Sequence, residues 1–286
     1  VTAGPLTPRV FTQLDVFASG PLTGNPLAVV HDADDLTDEQ MAAVARWTNL
    51  SETTFLVRPA DPGADYGVRI FTPGGELPFA GHPTLGSAQA WLLAGGVPRD
   101  DKEIVQECGV GLVRVRPDGD RLAFAAPPLI RSGPVERDLV ERLAAALGLA
   151  SGAVRDAQWV DNGPGWVALL LGSREQVLAV QPDAAVLGDL KVGLIGPWTG
   201  PDRDADFEVR AFVPSTGILE DPVTGSLNAG LGQWLIGAGL APASYVASQG
   251  TALQRRGRVF VDQSGDDVWL GGLATAVVSG TIALPG

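Results

Sequence analysis

Short apolar runs alternate with turns marked by glycine and proline along this chain, a pattern that predicts many strands and few helices. VFTQLDVF (Val10–Phe17) reads as a strand, and a second follows the Ser19–Gly24 turn at Leu27–His31. Leu36–Thr48 has helical spacing, with Met41, Val44, Ala45 and Trp47 on one stripe. Thr37 and Gln40 form a capping box at its start. Asn49–Ser51 ends this helix, and Glu52 stands just before the strand Thr53–Val57. Tyr66–Phe71 is the next strand. Gly81–His82–Pro83–Thr84 then opens a helix that reaches Leu93 and stops at Gly95–Gly96. Ile104–Val115 and Arg121–Ala125 read as an extended pair, and the proline-rich Ala126–Pro134 reads as a linker. Val135–Leu149 predicts a helix, followed by strands near Gln158–Val160 and Gly165–Leu171.

Two stretches, Pro222–Gln254 and Val268–Gly286, hold no charged residue, and length alone would admit a membrane span. Ser226, Asn228, Gln233 and Pro242 interrupt the first, and the second is rich in glycine and β-branched residues. Both read as buried elements of a two-domain protein.

An internal repeat sharpens this reading. VRIFTP (Val68–Pro73) returns as VRAFVP (Val209–Pro214), HPTLGS (His82–Ser87) aligns with DPVTGS (Asp221–Ser226), and AWLLAGG (Ala90–Gly96) aligns with QWLIGAG (Gln233–Gly239). Two copies of one α+β unit are expected, each running strand, glycine loop, helix. In this alignment His82 and Asp221 are equivalent, Pro83 and Pro222 each open a helix, and a pseudo-twofold turns both helix starts toward one cleft. The unpaired amides of such starts favour an acidic ligand.

Composition narrows the function classes. The 286 residues include 33 acidic and 20 basic ones, for a net charge of -13. Such a chain is a poor partner for nucleic acid or an anionic membrane surface. One cysteine, Cys108, excludes an internal disulfide framework, and two histidines leave little room for a metal site, so none is expected. No charged and apolar leader opens the sequence, which points to the cytoplasm.

Three residues carry candidate chemistry. Glu52 is a candidate general base and acid, or else a strand-flanking glutamate. His82 can polarise or relay, or else order a turn. Asp221 reads as an N-cap for a helix near Pro222, a role compatible with catalysis. Ser226 is a hydroxyl donor candidate. No dinucleotide fingerprint, phosphate loop or serine-hydrolase elbow appears.

The segments DVFASGPLTGNPLAVV (Asp15–Val30), NLSETTFLV (Asn49–Val57), RIFTPGGELPFAGHPTLG (Arg69–Gly86) and EDPVTGS (Glu220–Ser226), with Gln249–Gly250 and Gly271–Gly272, resemble the phenazine-biosynthesis isomerase-like family. That family shares its fold with diaminopimelate epimerase. The resemblance implies an α+β fold of two pseudo-symmetric domains, each a curved, barrel-like, mostly antiparallel sheet around a central helix. The domains are expected at residues 1–125 and 126–274, with the strand near 275–286 free to return to the first. The resemblance further implies an active site between the domains, no cofactor, a homodimer, and a small carboxylated substrate. The family's best-known member isomerises trans-2,3-dihydro-3-hydroxyanthranilate, and its proton-shuttling glutamate matches Glu52. Its histidine and aspartate match His82 and Asp221. Ser226, Gly81, Gly225, Thr224 and Trp47 are the expected substrate-binding residues.

Racemases of the same fold use two cysteines, and the matching regions here, Ala80–His82 and Asp221–Val223, hold no sulfur. Trp47 and the loop Thr251–Gly257 depart from the family pattern. The expected function is therefore isomerisation by a carboxylate proton shuttle. A thiol-free racemase or epimerase of an amino or hydroxy acid, or a non-catalytic small-acid binder, are the alternatives.

Overall fold

The computed structural model describes residues 6–201, 203–216 and 218–285. They divide into two compact units. One runs to Ala125 and regains the chain from Gly272 onward; the other is Ala126–Gly271.

The first unit holds β1 (Leu6–Val16), β2 (Asn25–Val30), α1 (Asp38–Thr48), β3 (Glu52–Val57), β4 (Tyr66–Thr72), β5 (Gly75–Leu77), α2 (Gly81–Leu93), β6 (Ile104–Cys108), β7 (Gly111–Asp118) and β8 (Arg121–Ala125). The second holds β9 (Arg131–Pro134), α3 (Arg137–Ala146), β10 (Val154–Asp161), β11 (Trp166–Leu171), α4 (Arg174–Ala179), α5 (Ala184–Leu187), β12 (Lys191–Pro197), β13 (Phe207–Phe212), β14 (Glu220–Asp221), α6 (Gly225–Gly237), β15 (Ser244–Gln249), β16 (Gly257–Ser264) and β17 (Asp267–Gly272). Last comes β18 (Ala274–Pro285), which pairs antiparallel with β1 in the first unit.

The same ladder occurs twice. In the first unit the order is β18-β1-β2-β3-β4-β6-β7-β8, with β2–β3 and β4–β6 parallel and the other pairs antiparallel. In the second it is β9-β10-β11-β12-β13-β15-β16-β17, with β11–β12 and β13–β15 the parallel pairs. Thus β18, from the end of the chain, takes the place that β9 holds in the second unit. The linker expected at Ala126–Pro134 is corrected in part: its last four residues form β9, because an outer strand tolerates proline.

Each sheet packs on a central helix. α2 touches all eight of these strands of its unit. Its first eight residues are all buried, as are the first eight of α6. Neither helix has a polar stripe, as expected of a helix surrounded by strands. Glycine lets the backbones approach. A Cβ on Gly86 would overlap the Leu27 side chain, and one on Gly230 would overlap the Val160 carbonyl. Outside the sheets, α1 covers β3 and β4, with the expected Thr37–Gln40 capping box in place. Leu143, Val177 and Leu187, from α3, α4 and α5, join an outer core in the second unit.

The ladders also correct the repeat alignment. Arg69 grips Glu76 with two hydrogen bonds of 2.8 and 2.7 Å, and Arg210 grips Glu220 with two of 3.0 and 2.7 Å. Phe71 pairs with Glu76, and Phe212 with Glu220. The equivalent segments are therefore ELPFAGH (Glu76–His82) and EDPVTGS (Glu220–Ser226), five residues from the register expected. His82 and Ser226 are each the second residue of their helix. Asp221 lies on β14 opposite Ala211, as Leu77 lies opposite Ile70. Asp221 is thus no N-cap, since α6 starts at Gly225 behind Thr224, and Pro222 opens no helix. The shared proline–glycine–serine spacing of HPTLGS and DPVTGS had mimicked a repeat that side-chain pairing across the ladder rules out.

Candidate active site

Strand alternation aims Glu52 at α2. It is the first residue of β3 and pairs with Leu27 of β2. Thr54, two residues on and so on the same face, accepts a 2.9 Å hydrogen bond from the Ser87 hydroxyl of α2. The Glu52 Oε2 atom lies 3.4 Å from Nε2 of His82. His82 is 2% exposed, and burial pulls its pKa down to about 3. The imidazole is therefore neutral near pH 7, so its contact with the Glu52 carboxyl group is not an ion pair. On the ring's other side, Nδ2 of Asn25 lies 3.3 Å from Nδ1.

A buried polar chain fixes the helix start. Tyr66 donates to Gln106 Oε1 at 2.8 Å, Gln106 Nε2 donates to Thr84 Oγ1 at 3.1 Å, and Thr84 donates to the Ala80 carbonyl at 3.0 Å. Gly81 is the first residue of α2, and the extended Ala80 before it supplies no side-chain cap.

In the second unit, Gln249 organises the start of α6. Its Oε1 accepts from the Thr224 amide at 3.0 Å and from Asn228 Nδ2 at 2.9 Å. Its Nε2 donates to the Asp221 carbonyl at 3.1 Å and to Thr224 Oγ1 at 2.9 Å. The Thr224 hydroxyl donates in turn to Asp221 Oδ2 at 2.6 Å. Thr224 thus orients Asp221. Gly225 is the first helical residue, and Ser226 Oγ accepts from Trp166 Nε1 at 3.0 Å. The ladder places Lys191 where the first unit has Glu52. Lys191 pairs with Trp166 as Glu52 does with Leu27, and Val192 pairs with Phe212 as Thr53 does with Phe71.

Trp47 is 78% exposed and lines an apolar groove of about 290 Å³ with Val44, Ile282 and Leu284. Cys108 is half-buried on β6, where burial raises its thiol pKa. In the departing loop, Thr251–Leu253 form a short 3-10 turn. Among the described residues no group of His, Cys, Asp or Glu is arranged to hold a metal ion, and no helix is long and apolar enough to cross a membrane.

Sequence reasoning missed Asn25 and Gln249 as individual residues. Both lie in quoted motifs, and an amide beside a proline or glycine at a strand end was the available signal.

Comparisons with known proteins agree with the fold. The family model described as phenazine biosynthesis-like protein matches residues 14–280. The chain is 36% identical over 298 residues to "antisense-enhancing sequence 1" of Schizosaccharomyces pombe, covering 96% of this chain and 99% of that one. It is 39% identical over 224 residues to the trans-2,3-dihydro-3-hydroxyanthranilate isomerase of Pseudomonas aeruginosa, covering 76% of each. A crystal structure of a family protein from Enterococcus faecalis superposes with a TM-score of 0.79 at 26% identity, covering 97% of this chain and 100% of that one. The chain, with its repeated sheet-and-helix unit and its glutamate–histidine contact, belongs to the phenazine biosynthesis-like family and is an enzyme of isomerase type.

Proposed function

We propose that this enzyme is a cofactor-independent isomerase of a small carboxylated metabolite, cyclic and unsaturated, and that Glu52 shuttles the proton. The observation that carries this reading is the 3.4 Å approach of Glu52 to a buried, neutral His82 at the start of a buried helix. Glu52 takes a proton from a carbon next to the unsaturated system, and the C–H electron pair enters that system as the double bond shifts. The same carboxylic acid then returns a proton to another carbon. Atoms and charge balance without an oxidant or reductant. His82 assists by hydrogen bonding to the charge that develops, and Asp221, oriented by the Thr224 hydroxyl, accepts from a donor group of the substrate. Gly81 and Gly225 admit close approach to the helix-start amides, and Ser226 and Lys191 favour a carboxylate group on the substrate. Trp47 lines an apolar groove that none of these residues borders, and no part in the reaction is proposed for it.

The test is a panel of cyclic unsaturated carboxylic acids, incubated with the enzyme and followed by proton NMR. Double-bond migration in one of them supports the proposal. Loss of chirality at one carbon without migration identifies a racemase instead. Binding without turnover across the panel contradicts catalysis of this class.

A further inference from the structure

Asn25 is fully buried and begins β2, and the preceding turn sets its place. Asp15, buried on β1, accepts from the Thr23 amide at 2.8 Å with one oxygen and from the Gly24 amide at 2.9 Å with the other. A Cβ on Gly24 would overlap the Val16 carbonyl, so the turn admits only glycine there. Val16 then pairs with Asn25 across the ladder. From this fixed start the amide reaches 57 residues along the sequence to His82.

The hydrogen-bonding inventory of the two side chains decides the rest. An amide NH2 group only donates. A neutral imidazole has one donor nitrogen and one acceptor nitrogen. Facing Nδ2 of Asn25 at 3.3 Å, His82 Nδ1 is the acceptor, which leaves the ring proton on Nε2. That nitrogen lies 3.4 Å from Oε2 of Glu52, a close approach that falls short of a hydrogen bond. The hydrogen bond from β2 selects this tautomer, and the resulting Nε2–H lies on the side of the ring that Glu52 of β3 approaches.

We propose that Asn25 is a positioning residue that holds His82 as its Nε2–H tautomer, with that proton turned toward Glu52. The consequence for chemistry rests on the reading of Glu52 and His82 as the reacting pair. With Nε2 protonated and Nδ1 engaged, the imidazole has no free lone pair for a substrate proton. Glu52 is then the sole base of the pair, and His82 is a neutral donor that steadies the carboxylate and its developing partners. An Asn25→Asp substitution reverses the demand on Nδ1. The new carboxylate calls for a proton there, so the ring either moves its proton from Nε2 to Nδ1 or gains a second one.

The chain has two histidines, so long-range proton–nitrogen NMR correlations of the 15N-labelled protein give two ring systems, assigned with a His31→Gln variant. This reading needs no substrate, so it can fail or succeed independently of the proposed reaction. The expected wild-type pattern for His82 is a bare Nδ1 and a protonated Nε2, unchanged from about pH 5 to 8. In Asn25→Asp that pattern is lost while the His31 signals, which report the fold, persist. With an acid that the wild type converts, Asn25→Asp lowers kcat by about tenfold or more and leaves KM within about threefold. A wild-type His82 protonated on Nδ1, or an Asn25→Asp variant with the wild-type pattern, overturns the proposal. Should that variant not fold, the wild-type pattern alone decides.

Discussion

Gln249 holds Thr224 at two points: Oε1 accepts from its backbone amide and Nε2 donates to its hydroxyl. All three partner groups of the amide besides that hydroxyl, the Thr224 amide, Asn228 Nδ2 and the Asp221 carbonyl, are on buried residues. Gln249→Leu keeps the volume and strands these groups. An unsatisfied buried polar group costs about 1–3 kcal/mol, and the others recover part of their bonding by shifting, so a loss of roughly 2–4 kcal/mol is expected. Thermal unfolding checks it, with a drop in Tm of roughly 5–10 °C. An unchanged Tm contradicts the role given to Gln249.

The His82 environment predicts a pH dependence of stability. Its pKa is about 3 when folded and 6.5 when exposed, the cause being burial. Between these values only the unfolded chain binds the proton, so stability rises with pH across that window, by up to roughly 1.4 kcal/mol per unit. Glu52 is the titratable group facing the ring. His31, whose pKa is also lowered by burial, adds in the same direction. Urea midpoints at pH 5 and pH 7 for wild type and His82→Gln test the contribution. The variant is expected to show the smaller difference; an equal difference contradicts a buried neutral histidine.

How much of this was legible in the sequence depends on range. The Thr37–Gln40 capping box is a contact three residues long and was read directly. The sheet-wrapped helices were legible as uncharged, glycine-bounded apolar runs, and the resemblance named the fold. The equivalence of His82 with Ser226 was not. It is set by Phe71–Glu76 and Phe212–Glu220 pairs across ladders, whereas the sequence match followed a coincident proline–glycine–serine spacing. Asn25 escaped because its partner is remote in the chain. Lys191 escaped because only the register of β11 and β12 relates it to Glu52.

Lys191 carries a prediction of its own. If the substrate bears a carboxylate, Lys191→Met removes a charge-assisted contact worth about 1.5–3 kcal/mol and raises KM by about tenfold or more. Lys191→Arg restores part of the affinity. A KM unchanged in Lys191→Met contradicts a carboxylate at this position.

Residues 275–281 of β18 are all exposed, with Val277 and Val278 about half so, and the strand carries no charge in a chain of net charge -13. A long apolar strand exposed in this way is a liability unless covered, and an uncharged one meets its own copy without repulsion. We propose β18 as the contact surface of the homodimer that the family resemblance implies. By light scattering at one concentration, the wild type is expected to be a dimer and Val278→Lys a monomer. A variant that remains dimeric contradicts this interface.

Glu52 is the residue proposed to move the proton. On the first acid that the enzyme converts, proton NMR in deuterium oxide follows both isomerisation and exchange at the reacting carbon, in wild type and in Glu52→Gln. The expected result is that Glu52→Gln loses both by about a thousandfold while still binding the acid. Undiminished exchange in Glu52→Gln contradicts the account.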